Sequence, residues 1–492
     1  MFKPFQHIFT GRLLQNSFWT LADLVLYPLL MVLATPLFIN GLGPAQYGLW
    51  MMLTVIVQLM QALNFGVGDS TIRQTAALRA AGNHAEIPLM VNRNLSLAVL
   101  LTLLTTLLGT LTGFCIHHFE LLASGAHHDV FFIEVLVLFS VSAGLRFTEQ
   151  VLLSVLKGHE RFDVSARLSM VSRLSVVVCS AIVVLNGGGL IHMAITTVVC
   201  NVLNIVLQLA VVSRVVQGLQ LMPHFRFHSR EDVFQQNGWF WLQSVIALTG
   251  FLADRLVIGI YGSMETVGYY SVAALIGTQI HNVLLAFGAF AFPKVSARVA
   301  QERDIADLYY VARFMIAALG WSLTAFFVLA ASPLLSWWLG ESTYHEAASM
   351  ITMYLTFETV ILLIVVPYHF INGSTHLKWN SIFEFLLRGT HVALMAWWYP
   401  LYGVQGVLWA LLAGTLLHIP LQYYVFHSRI LKRPSVAEPL LAVLPAFLLS
   451  AAFLMTQLLW QILFLAAALI VFKFVYWDKA KTSFKLHYGQ QQ

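Results

Sequence analysis

The stretch LVIGIYGSMETVGYYSVAAL, residues 256–275, is an apolar run, a short turn at Gly262 and Ser263, and a second apolar run. The same layout occurs about 220 positions earlier in PLFINGLGPAQYGLWMMLTV, residues 36–55, where Gly43, Gly48 and Trp50 answer to Gly262, Gly268 and Tyr270. A second echo has equal spacing in both halves. GHERF begins at Gly158, fifteen residues before Arg173, and GSTHL begins at Gly373, fifteen residues before Arg388. The chain reads as a duplication of a unit built from apolar segments joined by glycine turns.

Composition says what those segments are. Of 492 residues, 59% are hydrophobic and 10% charged, where a soluble chain carries about 25% charged residues. A membrane-crossing helix needs roughly 20 mostly apolar residues. Fourteen such runs are present, near 17–40, 45–66, 94–116, 130–156, 166–185, 190–213, 237–261, 264–292, 312–331, 347–371, 380–399, 403–426, 439–457 and 459–476. Strand-type alternation, which a membrane barrel requires, is absent. The expectation is an all-α polytopic membrane protein with two pseudo-symmetric six-helix lobes, residues 1–220 and 221–430. Residues 431–492 add two further helices and a basic tail. Six spans is an even number, so the two copies enter the membrane in the same sense, the parallel-repeat architecture of secondary transporters with the substrate site between the halves.

Basic residues alternate with the spans. Lys3 and Arg12 fall on one side, as do Arg73, Arg79 and Arg93, Lys157, Arg161 and Arg167, Arg214, Arg226 and Arg230, then Lys294, Arg298, Arg303 and Arg313, Lys378, Arg429, Lys432 and Arg433, and Lys473, Lys479, Lys481 and Lys485. The loops assigned to the other side contain no Lys or Arg. Cytoplasmic loops hold the positive charge, so both termini are expected inside. The net charge of +5 then concerns topology and anionic headgroups, with no nucleic-acid partner. The longest outer loops, HHFELLASGAHHD (117–129) and SPLLSWWLGESTYHEA (332–347), are too short for a catalytic domain. No phosphate-binding loop or hydrolase signature occurs. Cys115, Cys179 and Cys200 lie inside spans without ligand spacing, and the histidine pairs 117/118 and 127/128 lack partners at fixed spacing, so no metal site and no cofactor is expected.

The informative residues are ionisable groups at membrane depth, because a charge there costs about 2.5–3.5 kcal/mol and usually faces water or protein. Arg146 lies roughly 16 Å inside the fourth span, with Glu149 one turn on. Glu358 is equally central in the tenth span. Arg173 and Arg388 sit about two turns from the cytoplasmic end, deep enough for a shared cavity and shallow enough to snorkel. Asp254 and Arg255 form a charge pair near the outer end of the seventh span, and Asp23 precedes Pro28 and Pro36 in the first. Asp69 and Arg73, at i, i+4, are expected to form an interfacial ion pair. Substrate-binding candidates are Arg146, Arg173, Arg255 and Arg388. Asp23, Glu149, Asp254 and Glu358 are candidates for charge balance or ion coupling.

Residues 42–76, LGPAQYGLWMMLTVIVQLMQALNFGVGDSTIRQTA, resemble the polysaccharide transporter branch of the multidrug/oligosaccharidyl-lipid/polysaccharide exporter superfamily, the Wzx-type flippases. The matching residues are Leu42, Gly43, Tyr47, Gly48, Leu49, Trp50, Phe65, Gly66 and Arg73. Asn64 stands where many relatives place Asp. VGYYSVA after the Gly262 turn is the second match, and the likeness extends in outline over the first twelve spans.

The resemblance implies a flippase moving an undecaprenyl-diphosphate-linked oligosaccharide from the cytoplasmic to the outer leaflet of the bacterial inner membrane, not an enzyme. It implies a proton or sodium ion as coupling ion, surrounding membrane lipids, and a polysaccharide polymerase and chain-length regulator as partners. The two extra spans resemble those of lipid II flippases. Arginines suit a diphosphate because the planar guanidinium makes charge-assisted, often bidentate contacts. The alternatives are a drug/cation antiporter of the same superfamily and an integral membrane glycan polymerase or ligase. The latter should carry a large outer loop with charged catalytic residues.

Overall fold

The computed structural model describes residues 11–61, 66–119, 130–216, 218–219, 245–246, 248–250, 252–289, 295–296, 298–299, 301, 303–374, 376, 378–433, 437–455 and 457–488. Among these residues the ordered elements are helices, with no strand. They are α1 (Gly11–Leu42), α2 (Pro44–Gln61), α3 (Val67–Ala80), α4 (Ile87–His118), α5 (Val130–Gly158), α6 (Phe162–Leu185), α7 (Leu190–Val215) and α8 (252–261). There follow α9 (Met264–Ala289), α10 (Ala306–Ala325), α11 (Ser332–Leu339), α12 (Glu341–Asn372), α13 (Lys378–Tyr402), α14 (Val404–Val425), α15 (Ala437–Leu454), α16 (Leu458–Phe472) and α17 (Asp478–Tyr488). Short π-helical turns continue α10, α14 and α16 at Phe326–Ala330, Phe426–Ile430 and Lys473–Trp477.

Eight helices among the described residues are long and apolar enough to cross a membrane. They are α4, α5, α6, α7, α10, α12, α14 and the run Leu459–Ser483. In lipid every backbone polar group must be satisfied within the segment, which is why apolar runs of this length fold as helices. The first turn obeys local rules as well. Gly43 takes φ +82°, where a Cβ is disfavoured, and Pro44 opens α2 at a position whose N–H has no helical partner.

The chain divides into two compact units, residues 1–245 with 263–268, and residues 246–262 with 269–492. In the first unit α4 packs on α5, α5 on α7, and α6 on α7. The same three pairings recur in the second, with α10 on α12, α12 on α14, and α13 on α14. Arg173 and Arg388 fall on the corresponding helices α6 and α13.

The core of the first unit is apolar where the start of α4 meets the end of α5, with Ile87, Val91, Leu152, Val155 and Leu156 buried together. Higher up, polar groups join the helices. Asn201 donates to Ser142 Oγ at 2.7 Å, Asn204 to Ser175 Oγ at 3.0 Å and Gln208 to Ser172 Oγ at 3.1 Å, so α7 is bonded along one face to α5 and α6. Leu103, Leu107, Leu111 and Phe114 of α4 are exposed, as a lipid-facing surface requires.

In the second unit α12 is the enclosed helix, with 78% of its apolar window buried, against 17% for Leu459–Ser483, which lies at the periphery. That terminal segment is nevertheless tied down. Arg313 of α10 is buried, donates to the Val475 carbonyl at 3.0 Å and stacks its guanidinium over the Tyr476 ring at 4.4 Å.

The expected Asp69–Arg73 ion pair does not form. Both side chains are exposed, and no ion pair joins them. Asp69 lies in the first turn of α3, where its charge is already balanced by the helix N-terminus.

Candidate functional site: charged clusters within each unit

In the first unit the charges sit on α5 and α6. Arg146 and Glu149 share a face of α5 at i, i+3, and the guanidinium charges of both Arg146 and Arg173 act on the Glu149 carboxylate. Arg146 is exposed and Arg173 half-buried. Glu149 Oε1 is shielded and has no hydrogen-bond partner. Asp23 is on α1, and its side chain lies outside the described residues.

The second unit holds a larger cluster. Asp254 is 3% exposed; it accepts the Tyr270 hydroxyl at 2.6 Å and the backbone N–H of Arg255 at 2.7 Å, and the Arg255 guanidinium stands 3.8 Å away. Tyr270 meets Tyr354 of α12 edge-to-face, with centroids 5.9 Å apart.

One turn beyond Tyr354, Glu358 is fully buried. Its Oε2 is 3.2 Å from His281 Nδ1 of α9, while Oε1 has no partner. Gly277, one turn before His281, makes the approach possible, because a Cβ there would run into the Tyr354 ring and come within 3.1 Å of Glu358 Cγ.

Arg388 is buried instead of snorkelling to the headgroups. Its Nε donates to Glu384 Oε2 at 3.2 Å, and its stem passes directly over Gly250. His391 and His418 complete the interior on α13 and α14.

The structure thus brings Arg146, Glu149 and Arg173 together in one unit, and Asp254 with Arg255, Glu358 and Arg388 in the other. Sequence reasoning missed Tyr270, Tyr354, His281, Glu384, His391 and His418. The three histidines carried a signal, since each is a titratable group in the middle of an apolar run. Among the described residues no group of three or more His, Cys, Asp or Glu could hold a metal ion.

Residues 13–298 match the family described as polysaccharide biosynthesis protein, which is more than half of the chain. The chain belongs to that family. A polysaccharide biosynthesis protein with these helices also has a relative in Shigella flexneri, named as a candidate O-antigen transporter, at 19% identity over 394 residues; the match covers 80% of this chain and 93% of the relative.

Two solved structures show the fold. An inward-facing multidrug resistance MATE family transporter of the MOP superfamily superposes with a TM-score of 0.69 at 17% identity, covering 82% of this chain and 94% of that one. The lipid II flippase MurJ, in an inward closed conformation, superposes with a TM-score of 0.64 at 13% identity, covering 94% and 99%. This polysaccharide biosynthesis protein therefore shares the fold of these two structures and is a multi-pass membrane protein.

Proposed function

We propose that the chain is a flippase that carries an undecaprenyl-diphosphate-linked oligosaccharide from the cytoplasmic to the outer leaflet of the bacterial inner membrane by alternating access. Membership of the polysaccharide biosynthesis family supports the substrate class. The observation that carries the reading is the arginine set, Arg146 with Arg173 on α5 and α6, and Arg388 on the corresponding helix α13. Arginines at membrane depth, here Arg388 buried, Arg173 half-buried and Arg146 exposed, suit a negative charge that must leave water, and a diphosphate supplies that charge in a form a guanidinium fits.

Fourteen spans with both termini cytoplasmic belong to this proposal, as do the division at about residues 220 and 430, the extra C-terminal pair, and partnership with a polymerase and a chain-length regulator.

In this reading Arg146 and Arg173 meet the diphosphate first, since Arg146 is exposed and shares the Glu149 carboxylate with Arg173. Arg255, held by Asp254, orients that carboxylate and touches substrate only late. Glu358 takes the coupling proton or sodium ion on the unpartnered Oε1, with His281 on the other oxygen. Asp254 and Glu149 balance the arginines, and Asp23 serves as a further coupling carboxylate. No cofactor takes part.

A second reading, a drug/cation antiporter, is favoured by Asp254 and Glu358 lying among Tyr270 and Tyr354, because carboxylates with aromatic faces suit an organic cation. It leaves the arginines of α5 and α6 without a purpose.

Purified protein in proteoliposomes separates the two. Translocation of a fluorescent undecaprenyl-diphosphate oligosaccharide, lost on neutralising Arg146, supports the flippase. Export of a cationic dye without glycolipid movement overturns it.

A further inference from the structure

The terminal segment, residues 458–488, has two unlike sides. Val475, Tyr476, Ala480 and Ser483 are buried, and this inward side is held by Arg313 and by the Phe314 ring, 5.2 Å from that of Trp477. The outward side carries exposed Leu459, Leu463, Leu469 and Ile470, a stripe suited to acyl chains.

Two exposed tryptophans bracket that stripe. Trp460 and Trp477 stand about 25 Å apart along the helix axis, close to the roughly 30 Å of a bilayer's hydrocarbon, and tryptophan collects at both of its water boundaries. Trp477 therefore marks the level at which the segment leaves the hydrocarbon.

Cations gather at that level. Lys473 and Lys481 are exposed, and Lys473 Nζ stands 5.8 Å from the centroid of the exposed Phe474 ring. Lys479 is turned to α10, with its Nζ 5.2 Å from the centroid of the Tyr310 ring. Among the described side chains of the segment, these three lysines meet a single carboxylate, Asp478. Eight residues of regular α-helix make about 2.2 turns, which leaves Lys481 off the line of Lys473. The π-turn at Lys473–Trp477 holds more residues per turn and takes up that excess, so both lysines fall on the side of the apolar stripe.

A phospholipid presents the same order along its length, acyl chain, then glycerol, then phosphate. We infer that the outward face of residues 459–481 seats an anionic phospholipid, with an acyl chain along Leu463, Leu469 and Ile470 and the phosphate at Lys473 and Lys481. Charge complementarity selects the occupant. Lysines at the headgroup level attract a lipid of net negative charge, such as phosphatidylglycerol, more than zwitterionic phosphatidylcholine. Val475, which Arg313 ties to α10, lies between the two lysines in the chain, so a lipid held there braces the docked segment. The inference does not depend on the flippase reading.

The test uses the full chain in nanodiscs of phosphatidylcholine, with and without a fixed mole fraction of phosphatidylglycerol. Thermal unfolding midpoints and hydrogen exchange of residues 473–488 are compared within each protein, which cancels any change in intrinsic stability. Phosphatidylglycerol should raise the wild-type midpoint by several degrees and slow exchange in that segment, because a ligand of the folded state stabilises it. Lys473→Gln combined with Lys481→Gln should lose both responses. Arg303→Gln combined with Lys378→Gln removes two exposed cations elsewhere and should keep both.

A wild type indifferent to phosphatidylglycerol overturns the seat, as does a Lys473→Gln, Lys481→Gln protein that still responds. Equal loss in the Arg303→Gln, Lys378→Gln protein overturns it too, since the effect would then belong to net charge. Undecaprenyl phosphate replaces phosphatidylglycerol at the same mole fraction in a further arm. Weaker protection of residues 473–488 than phosphatidylglycerol gives supports a phospholipid seat, and equal or stronger protection assigns the place to a polyprenyl carrier and overturns the inference.

Discussion

Gly48 and Gly268, which occupy corresponding places in the two halves of the sequence, stand against each other in the first unit. The backbone N–H of Gly268 lies 2.8 Å from where a Gly48 Cβ would be, and a Cβ on Gly268 would overlap the Pro44 carbonyl. Neither position has space for a methyl group, and the obstructing atoms are backbone, which cannot rotate away. Gly48→Leu and Gly268→Leu are each expected to destabilise the protein by about 1–3 kcal/mol or more, the range for overpacking. Thermal unfolding in detergent checks this, and wild-type midpoints would show that the close approach is dispensable.

Tyr270 provides the hydroxyl donor to a nearly inaccessible Asp254. Tyr270→Phe removes that donor and should cost about 1–3 kcal/mol, the penalty for stranding a buried acceptor. Combining it with Asp254→Asn should recover part of the loss. A double-mutant cycle on unfolding midpoints reads the coupling, and strict additivity would mean that the two residues act independently.

Glu358→Gln keeps the shape of the side chain while removing its charge. Folding should be little affected, whereas glycolipid translocation should stop responding to an imposed proton or sodium gradient. Running the two gradients separately on wild-type proteoliposomes identifies the ion. A variant that still responds fully would remove Glu358 from the coupling role.

Arg146→Gln and Arg173→Gln each delete a charge-assisted contact worth about 1.5–3 kcal/mol, so apparent affinity for the diphosphate glycolipid should fall roughly tenfold to a hundredfold. Arg146, the more exposed of the two, should show the effect with an unchanged unfolding midpoint. Initial translocation rates against glycolipid concentration give the comparison.

Arg313 holds the terminal segment through the Val475 carbonyl and the faces of Tyr476, Tyr309 and Tyr310. Cation–π contacts of this kind contribute about 0.5–2 kcal/mol each. Arg313→Leu should therefore raise hydrogen exchange in residues 473–488 before it alters the rest of the second unit. The π-turn at Lys473–Trp477 shapes the same place, since a π-helical turn breaks the regular pattern of carbonyl partners and Val475 lies within it.

Much of this was legible in the chain. Apolar runs of the right length specify helices because lipid offers no other partner for the backbone. The glycine turns and the equal spacing to Arg173 and Arg388 announced the repeat, and the helix pairings agree with it. Arg146 with Glu149 could be placed together from helical periodicity alone, since i and i+3 share a face.

Periodicity stops at the helix surface. Glu358 and His281 are 77 positions apart, and Asp254 and Tyr270 lie on different helices, so only packing could join them. The same limit made Arg388 ambiguous between snorkelling and burial until Glu384 and Gly250 were seen beside it. Composition, repeat and family are local properties and were written in the order of residues. The partner of each buried charge depends on which helix faces come into contact, and tertiary structure alone settles that.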